Sequence, residues 1–141
     1  MAIRSAEAVW EGSLREGRGS MKVGSGAFEV PFSFATRFEE MPGTNPEELI
    51  GAALTGCFSM ALGGDLGRAG FTPTRIATQA KVHLGKVDGK SRITTIELTT
   101  EAQVPGISVE QFQQIAEGTK SGCPVSAALA GVEIKLQAFL V

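Results

Sequence analysis

The stretch NPEELIGAALTGCFSMALGGDLGRAG, Asn45 to Gly70, constrains this chain more than any other. Asn45 suits a helix N-cap, Pro46 the first helical position, and Glu48 the place that closes a capping box. Gly70 suits the stop, so one long helix is predicted from Pro46 to about Arg68. Its apolar residues include Leu49, Ile50, Leu54, Cys57, Phe58, Met60, Leu62 and Leu66, and they go round the whole circumference. A helix apolar on all sides is expected at the centre of a fold. Gly51, Ala52, Ala53 and Gly56 leave room for another element to pack very close to it.

Short strands are expected around that helix. Residues 6–12, 18–24 and 26–34 alternate weakly between apolar and polar and are punctuated by glycine, as in an antiparallel meander. Trp10, Met21, Val23, Phe28 and Val30 supply its inward faces, and Pro31 marks an edge. Residues 75–84 and 91–103 alternate more cleanly, and Asp88-Gly89 between them signals a hairpin. Ser108 can cap a helix over 109–118 with Val109, Phe112, Ile115 and Ala116 inward. A further helix is expected within 121–131, opening at Cys123 or Pro124, and a closing strand over 132–140. The order βββ-α-ββ-α-α-β is an α+β pattern, and 141 residues fit a single domain spanning 1–141.

Composition removes several function classes. A net charge of −2 offers no basic face to nucleic acid and no polybasic patch to a membrane. The N-terminus lacks the apolar core of a signal peptide, and Asp65 and Arg68 interrupt the longest apolar stretch. No membrane association is expected, and the cytoplasm is the expected compartment. His83 is the only histidine and no CxxC spacing occurs, so zinc is not expected and the chemistry is expected to proceed without metal. His83 reads as a strand residue without a role.

Chemistry then falls to the two cysteines, Cys57 and Cys123. Cys123 stands at a predicted helix N-terminus, where free N–H groups favour a thiolate, between Gly122 and Pro124, which leave its sulfur accessible. It reads equally well as a small packed residue. Cys57, mid-helix among apolar neighbours, reads on spacing alone as a buried inert thiol. A reactive Cys57 requires a cation held by a carboxylate, for which Arg37 and Glu47 or Glu48 are candidates. Glu47 lies ten residues before Cys57, about 15 Å along a straight helix. Any service it gives to Cys57 must therefore come from a second copy of the chain, through a two-fold interface with shared sites.

The segments TRFEEMPGTNPEELIGAALTGCFSMAL, GFTPTRI, VPGIS and SGCPVSAAL carry a specific likeness extending over nearly the whole chain. In them the sequence resembles the OsmC/Ohr family of thiol-dependent hydroperoxide reductases, in its OsmC branch. The resemblance implies an intertwined, swapped α+β homodimer with antiparallel sheets around long buried central helices. It implies a peroxidase without metal or prosthetic group, acting on organic hydroperoxides better than on hydrogen peroxide. Cys57 is then the peroxidatic thiolate, and Cys123 resolves its sulfenic acid into a Cys57–Cys123 disulfide. Arg37 stabilises the thiolate and Glu47 orients Arg37, both from the partner. Arg15 and Arg18 are the alternatives to Arg37, and Phe38, Leu54 and Phe58 are the expected apolar substrate contacts. An external dithiol, of lipoyl type in the Ohr branch, would be the reductant. The rival reading is a redox-sensing or small-molecule-binding dimer switched by the same disulfide.

Overall fold

The computed structural model describes all 141 residues, which group into two compact units, residues 1–49 and 50–141. In the first unit β1 (Ala6–Glu11), β2 (Arg18–Val23) and β3 (Glu29–Phe32) form an antiparallel sheet in that order. Pro31 faces Ser20 from the outer strand, where its missing N–H costs no ladder bond. The expected inward faces are only thinly covered: Trp10 is 38% and Phe28 41% exposed. Three short strands are too little chain to close a core of their own.

The third strand stops at Phe32, and Phe34, the last residue of the predicted strand, opens a one-turn helix, α1 (Phe34–Phe38), that was not predicted. Ser33 and Thr36 close a reciprocal box around its start. The Thr36 N–H donates to Ser33 Oγ at 3.2 Å, and the Ser33 N–H to Thr36 Oγ1 at 2.9 Å. The long helix α2 (Pro46–Arg68) then begins as expected, with the Glu48 N–H donating to Asn45 Oδ1 at 2.8 Å. The capping box expected from Glu48 does not close, because its carboxylate accepts the Thr44 hydroxyl instead.

The second unit is built on β4 (Arg75–Val87) and β5 (Lys90–Gln103), joined through Asp88 and Gly89. Both turn residues have positive φ, 51° and 75°, as a two-residue hairpin turn of this hand requires. The ladder extends beyond both predicted strands, with an irregularity between His83 and Leu84. His83 sits on β4 with Nε2 2.6 Å from Glu97 of β5. After α3 (Val109–Gly122) and α4 (Pro124–Ala128), β6 (Glu133–Leu140) returns parallel to β5, so β5 is central. This sheet is therefore mixed rather than antiparallel as expected, the helices between β5 and β6 carrying the chain back to the same end. The β5 residues Ile96, Leu98, Thr100 and Ala102, alternating along the strand, are all fully buried.

Along α2, Leu54, Phe58, Leu62 and Leu66 form one completely buried stripe in this core, with Phe112 and Ala116 of α3. The helix runs antiparallel to β4: Val82 approaches Gly51, Thr78 accepts the Ser59 hydroxyl at 2.8 Å, and Ile76 approaches Gly63. Close approach accounts for Gly51, where a Cβ would fall 3.3 Å from Val82, but not for Gly56, where a Cβ would meet nothing. The expectation of burial on every side is not met within one chain. Met60 is 83% exposed, and Ala52, Ala53, Gly56 and Gly64 are exposed beside it, because one sheet covers one face only. By length and mean hydropathy, 1.4 over its apolar window, α2 could cross a membrane, yet its large-residue stripe is committed to the core.

Both later helices differ from their predicted bounds. α3 runs a turn further than 118, with Ser108 capping it through the Gln111 N–H at 3.2 Å. Val109, predicted to point inward, is exposed. The extra turn buries Thr119, whose hydroxyl donates to Asp65 Oδ2 of α2 at 2.5 Å and lies 2.9 Å from the Ile115 carbonyl. Replacing Thr119 by Val removes a bond to a carboxylate and should lower unfolding free energy by about 1–2 kcal/mol. Thr119→Ser should lose much less. Denaturant midpoints at an unchanged slope measure the difference.

Candidate active site

The chemistry-bearing side chains form two clusters, one in each unit. In the second, Cys123 closes α3 and opens α4, which brings its sulfur to 2.7 Å from Cys57 Sγ of α2. Both thiols are free. Cys57 is half-buried and Cys123 fully buried, so the accessibility expected for Cys123 from its Gly122 and Pro124 neighbours is not found. The Cys123 backbone is anchored on both sides, its N–H donating to Thr119 O and its carbonyl accepting from the Ala127 N–H, both at 2.9 Å.

The N-terminal turn of α4 was expected to favour a thiolate at Cys123, but its side chain makes no capping bond there. The Val125 N–H is directed at Cys57 instead. Burial, with the neighbouring Cys123 thiol, pushes the Cys57 thiol above its ordinary value, and the Val125 N–H pulls the other way. Within its own unit Cys57 thus has a donor and a partner sulfur but no cation. The segment GCPVS carries the turn that presents Val125, yet nothing in the sequence alone distinguishes which cysteine receives that N–H.

The first unit holds an arginine–carboxylate pair. Arg37, in the last turn of α1, donates from Nε and Nη2 to the Glu47 carboxylate, the shortest contact being 2.7 Å. Glu47 is nearly buried, its side chain 8% exposed, whereas Arg37 is 37% exposed. A buried carboxylate with a fork-shaped partner is held in one geometry. Arg37 Nη1 keeps both protons free of protein acceptors, so the pair can hold an oxygen ligand without breaking. The Arg37 guanidinium also lies 5.1 Å from the Phe38 ring centroid. Arg15 lies 4.6 Å over Phe34 instead, and Arg18 opens β2 with no carboxylate partner. Of the three arginines weighed from sequence, Arg37 is the one bonded to Glu47.

Beside Arg37 opens a cleft of about 310 Å³, lined by Trp10, Leu14, Phe32, Phe34 and Phe38 with Ser33. Gly19 makes its floor possible, since a Cβ there would fall 2.6 Å from both the Trp10 and the Phe32 ring. Phe38 was expected at the substrate and does line this cleft. Leu54 and Phe58 were expected with it but are wholly buried in the core of the second unit. The aromatic cleft escaped sequence reasoning because Phe34 read as the end of a strand and the rest of α1, which turns Phe34 and Phe38 together, was assigned no element.

The chain belongs to the OsmC-like family: the model of the OsmC-like protein family matches residues 38–137. It is 51% identical over 127 residues to Peroxiredoxin OsmC of Escherichia coli K12, covering 89% of each chain. An organic hydroperoxide resistance protein from Elizabethkingia anophelis has the same fold, with a TM-score of 0.79 and 25% identity over 99% of both chains. An OsmC-like protein of unknown function from Vibrio cholerae shares it at TM-score 0.80 and 18% identity, over 99% of this chain and 100% of that one. The α+β architecture read from the sequence, with its two sheets, is thus the architecture of this family.

The difference in burial gives an order of reactivity. Brief alkylation of native reduced protein should modify Cys57 well before Cys123, and peptide mapping by mass spectrometry reads that order. Equal labelling of the two would contradict the geometry.

Proposed function

We propose that this chain is a homodimeric, cytoplasmic thiol peroxidase that reduces organic hydroperoxides to alcohols, and hydrogen peroxide less efficiently. The observation that carries the reading is the 2.7 Å approach of Cys57 and Cys123, two free thiols from distant parts of the chain. The Cys57 thiolate attacks the terminal peroxide oxygen. The O–O bond breaks, the alkoxide leaves and takes a proton to become the alcohol, and Cys57 becomes a sulfenic acid. Cys123, as thiolate, then attacks the Cys57 sulfur, expelling hydroxide that is protonated to water and leaving a Cys57–Cys123 disulfide. An external dithiol, possessing the two electrons this cycle consumes, returns both thiols.

The missing element at Cys57 is a positive charge, and Arg37 held by Glu47 is the one this reading assigns to it. Because ten helical positions separate Glu47 from Cys57, about 15 Å, the pair acts on the Cys57 of a second copy. The exposed apolar face of α2, with Met60, Ala52, Ala53 and Gly56, supports such a copy, since a contiguous apolar strip left in water is unfavourable. There Arg37 Nη1 is free to bind the peroxide while the guanidinium lowers the thiol pKa. A thiol raised by burial and lowered by an opposite charge releases its proton nearer neutrality.

Turnover of cumene hydroperoxide with dihydrolipoamide or dithiothreitol by substoichiometric protein tests the reading against a sensor, which would stop after one equivalent. Cys57→Ser should abolish it, and Cys123→Ser should leave a Cys57 sulfenic acid trappable by dimedone. Arg37→Ala should slow it at least tenfold. In that variant the pH at which half of Cys57 alkylates should also rise by about one pH unit or more. Unchanged kinetics in Arg37→Ala would move the activating role to Arg15 or Arg18. No turnover with either reductant would favour the sensing dimer.

A further inference from the structure

Phe34, one wall of the cleft beside Arg37, has the guanidinium of Arg15 over its ring at 4.6 Å, and the proposed peroxidase cycle gives that second cation no role. Arg15 sits on the β1–β2 turn, which is fixed by the Gly17 N–H to Ser13 O bond at 2.8 Å and the Glu16 N–H to Ser13 Oγ bond at 3.2 Å. Its guanidinium stands over Phe34, and the Phe34 ring packs against Phe38 at 4.9 Å. Arg37 stands over Phe38 at the other end of that ring pair. Two tilted, packed rings of the cleft wall thus each carry a cation, Arg37, which also lines the cleft, and Arg15 beside it. The two cations differ in one respect. Arg37 is answered by Glu47, whereas no carboxylate lies within ion-pair distance of Arg15.

An occupant of this cleft meets aromatic walls along its body and an unanswered positive charge beyond them. The volume is at the lower end of small-molecule sites, so the body is of the size of a substituted aryl ring or a folded short alkyl chain. We propose that the cleft binds the organic part of the substrate and that Arg15 selects hydroperoxides carrying a remote carboxylate. The hydroperoxide group then lies at Arg37 and the carboxylate at Arg15. This rests on the reading of the chain as an organic hydroperoxide reductase and adds the substrate class to it. Arg15 acts on binding alone and takes no part in the bond-breaking step.

Trp10 is the only tryptophan and lines the cleft, so its fluorescence reports occupancy without any turnover. The native reduced protein would be titrated with 4-(2-hydroxypropan-2-yl)benzoate and with 2-phenylpropan-2-ol, unreactive compounds that differ by one carboxylate. The benzoate should bind about three- to fivefold tighter, the range of a solvent-exposed ion pair. Arg15→Gln should remove the difference and leave the neutral alcohol unchanged, and Arg15→Lys should restore part of it. The matching pair of hydroperoxides should show the same ratio in kcat/KM. Equal affinities in the native protein, a preference that survives Arg15→Gln, or no response of Trp10 to either compound would overturn the assignment. Cumene hydroperoxide turnover separates the two readings. If it persists while the carboxylate preference is absent, only the role of Arg15 fails. If the preference is present without turnover, the binding site stands and the peroxidase reading fails.

Discussion

Four side chains at one helical azimuth, Leu54, Phe58, Leu62 and Leu66, set the geometry on which the rest of the second unit depends. Each is fully buried, and truncating the largest, Phe58, is the kind of change that costs about 3–5 kcal/mol. The rotation of α2 about its axis is thereby fixed. Each residue advances about 100° round the helix, so Cys57, one step before Phe58, comes to the border between the buried stripe and the open face. That border suits the reactive role proposed for Cys57. On the stripe its sulfur would be sealed among leucines, and on the open face it could not meet Cys123.

A comparable economy operates in the first unit through Asn45. Its Oδ1 caps α2, and its Nδ2 donates to the Thr36 carbonyl of α1 at 3.0 Å. One amide thus joins the start of the long helix to the middle of the short one. Arg37 follows Thr36 and Glu47 follows Pro46, so this join brings the guanidinium and the carboxylate to facing positions. Glu48, one residue on, points to Thr44 instead and has no share in the ion pair. The choice between two adjacent glutamates is made by helical direction.

Much of this was legible beforehand because its causes are local. Asn45-Pro46 and Gly70 delimit α2, Asp88-Gly89 dictates the hairpin, and Ser108 starts α3. Features that were misread have causes lying elsewhere in the chain. The five residues of α1 are too few to show a helical period, and only Ser33 and Thr36, in their reciprocal capping, hinted at it. The full apolar circumference of α2 was plain, but no pattern within a helix states which part of it one chain can cover. Cys123 looked open because its neighbours are Gly122 and Pro124, and its burial comes from the α2 and β5 core. Arg37 with Glu47 or Glu48 could be named as a pair from the residues, but the Cys57–Cys123 approach was reached by way of family likeness, since those two lie 66 positions apart.

The joint at Cys123 has a mechanical meaning. Its N–H and carbonyl are tied to α3 and α4 respectively, so the backbone on both sides is clamped and the side chain alone is free to turn. Bonded sulfurs stand about 2.05 Å apart, so from the observed approach the gap closes by well under one ångström. A rotation about a single torsion covers that stroke. In the proposed cycle, closing and reopening that bond would therefore ask for hardly any movement of the backbone that carries Cys123.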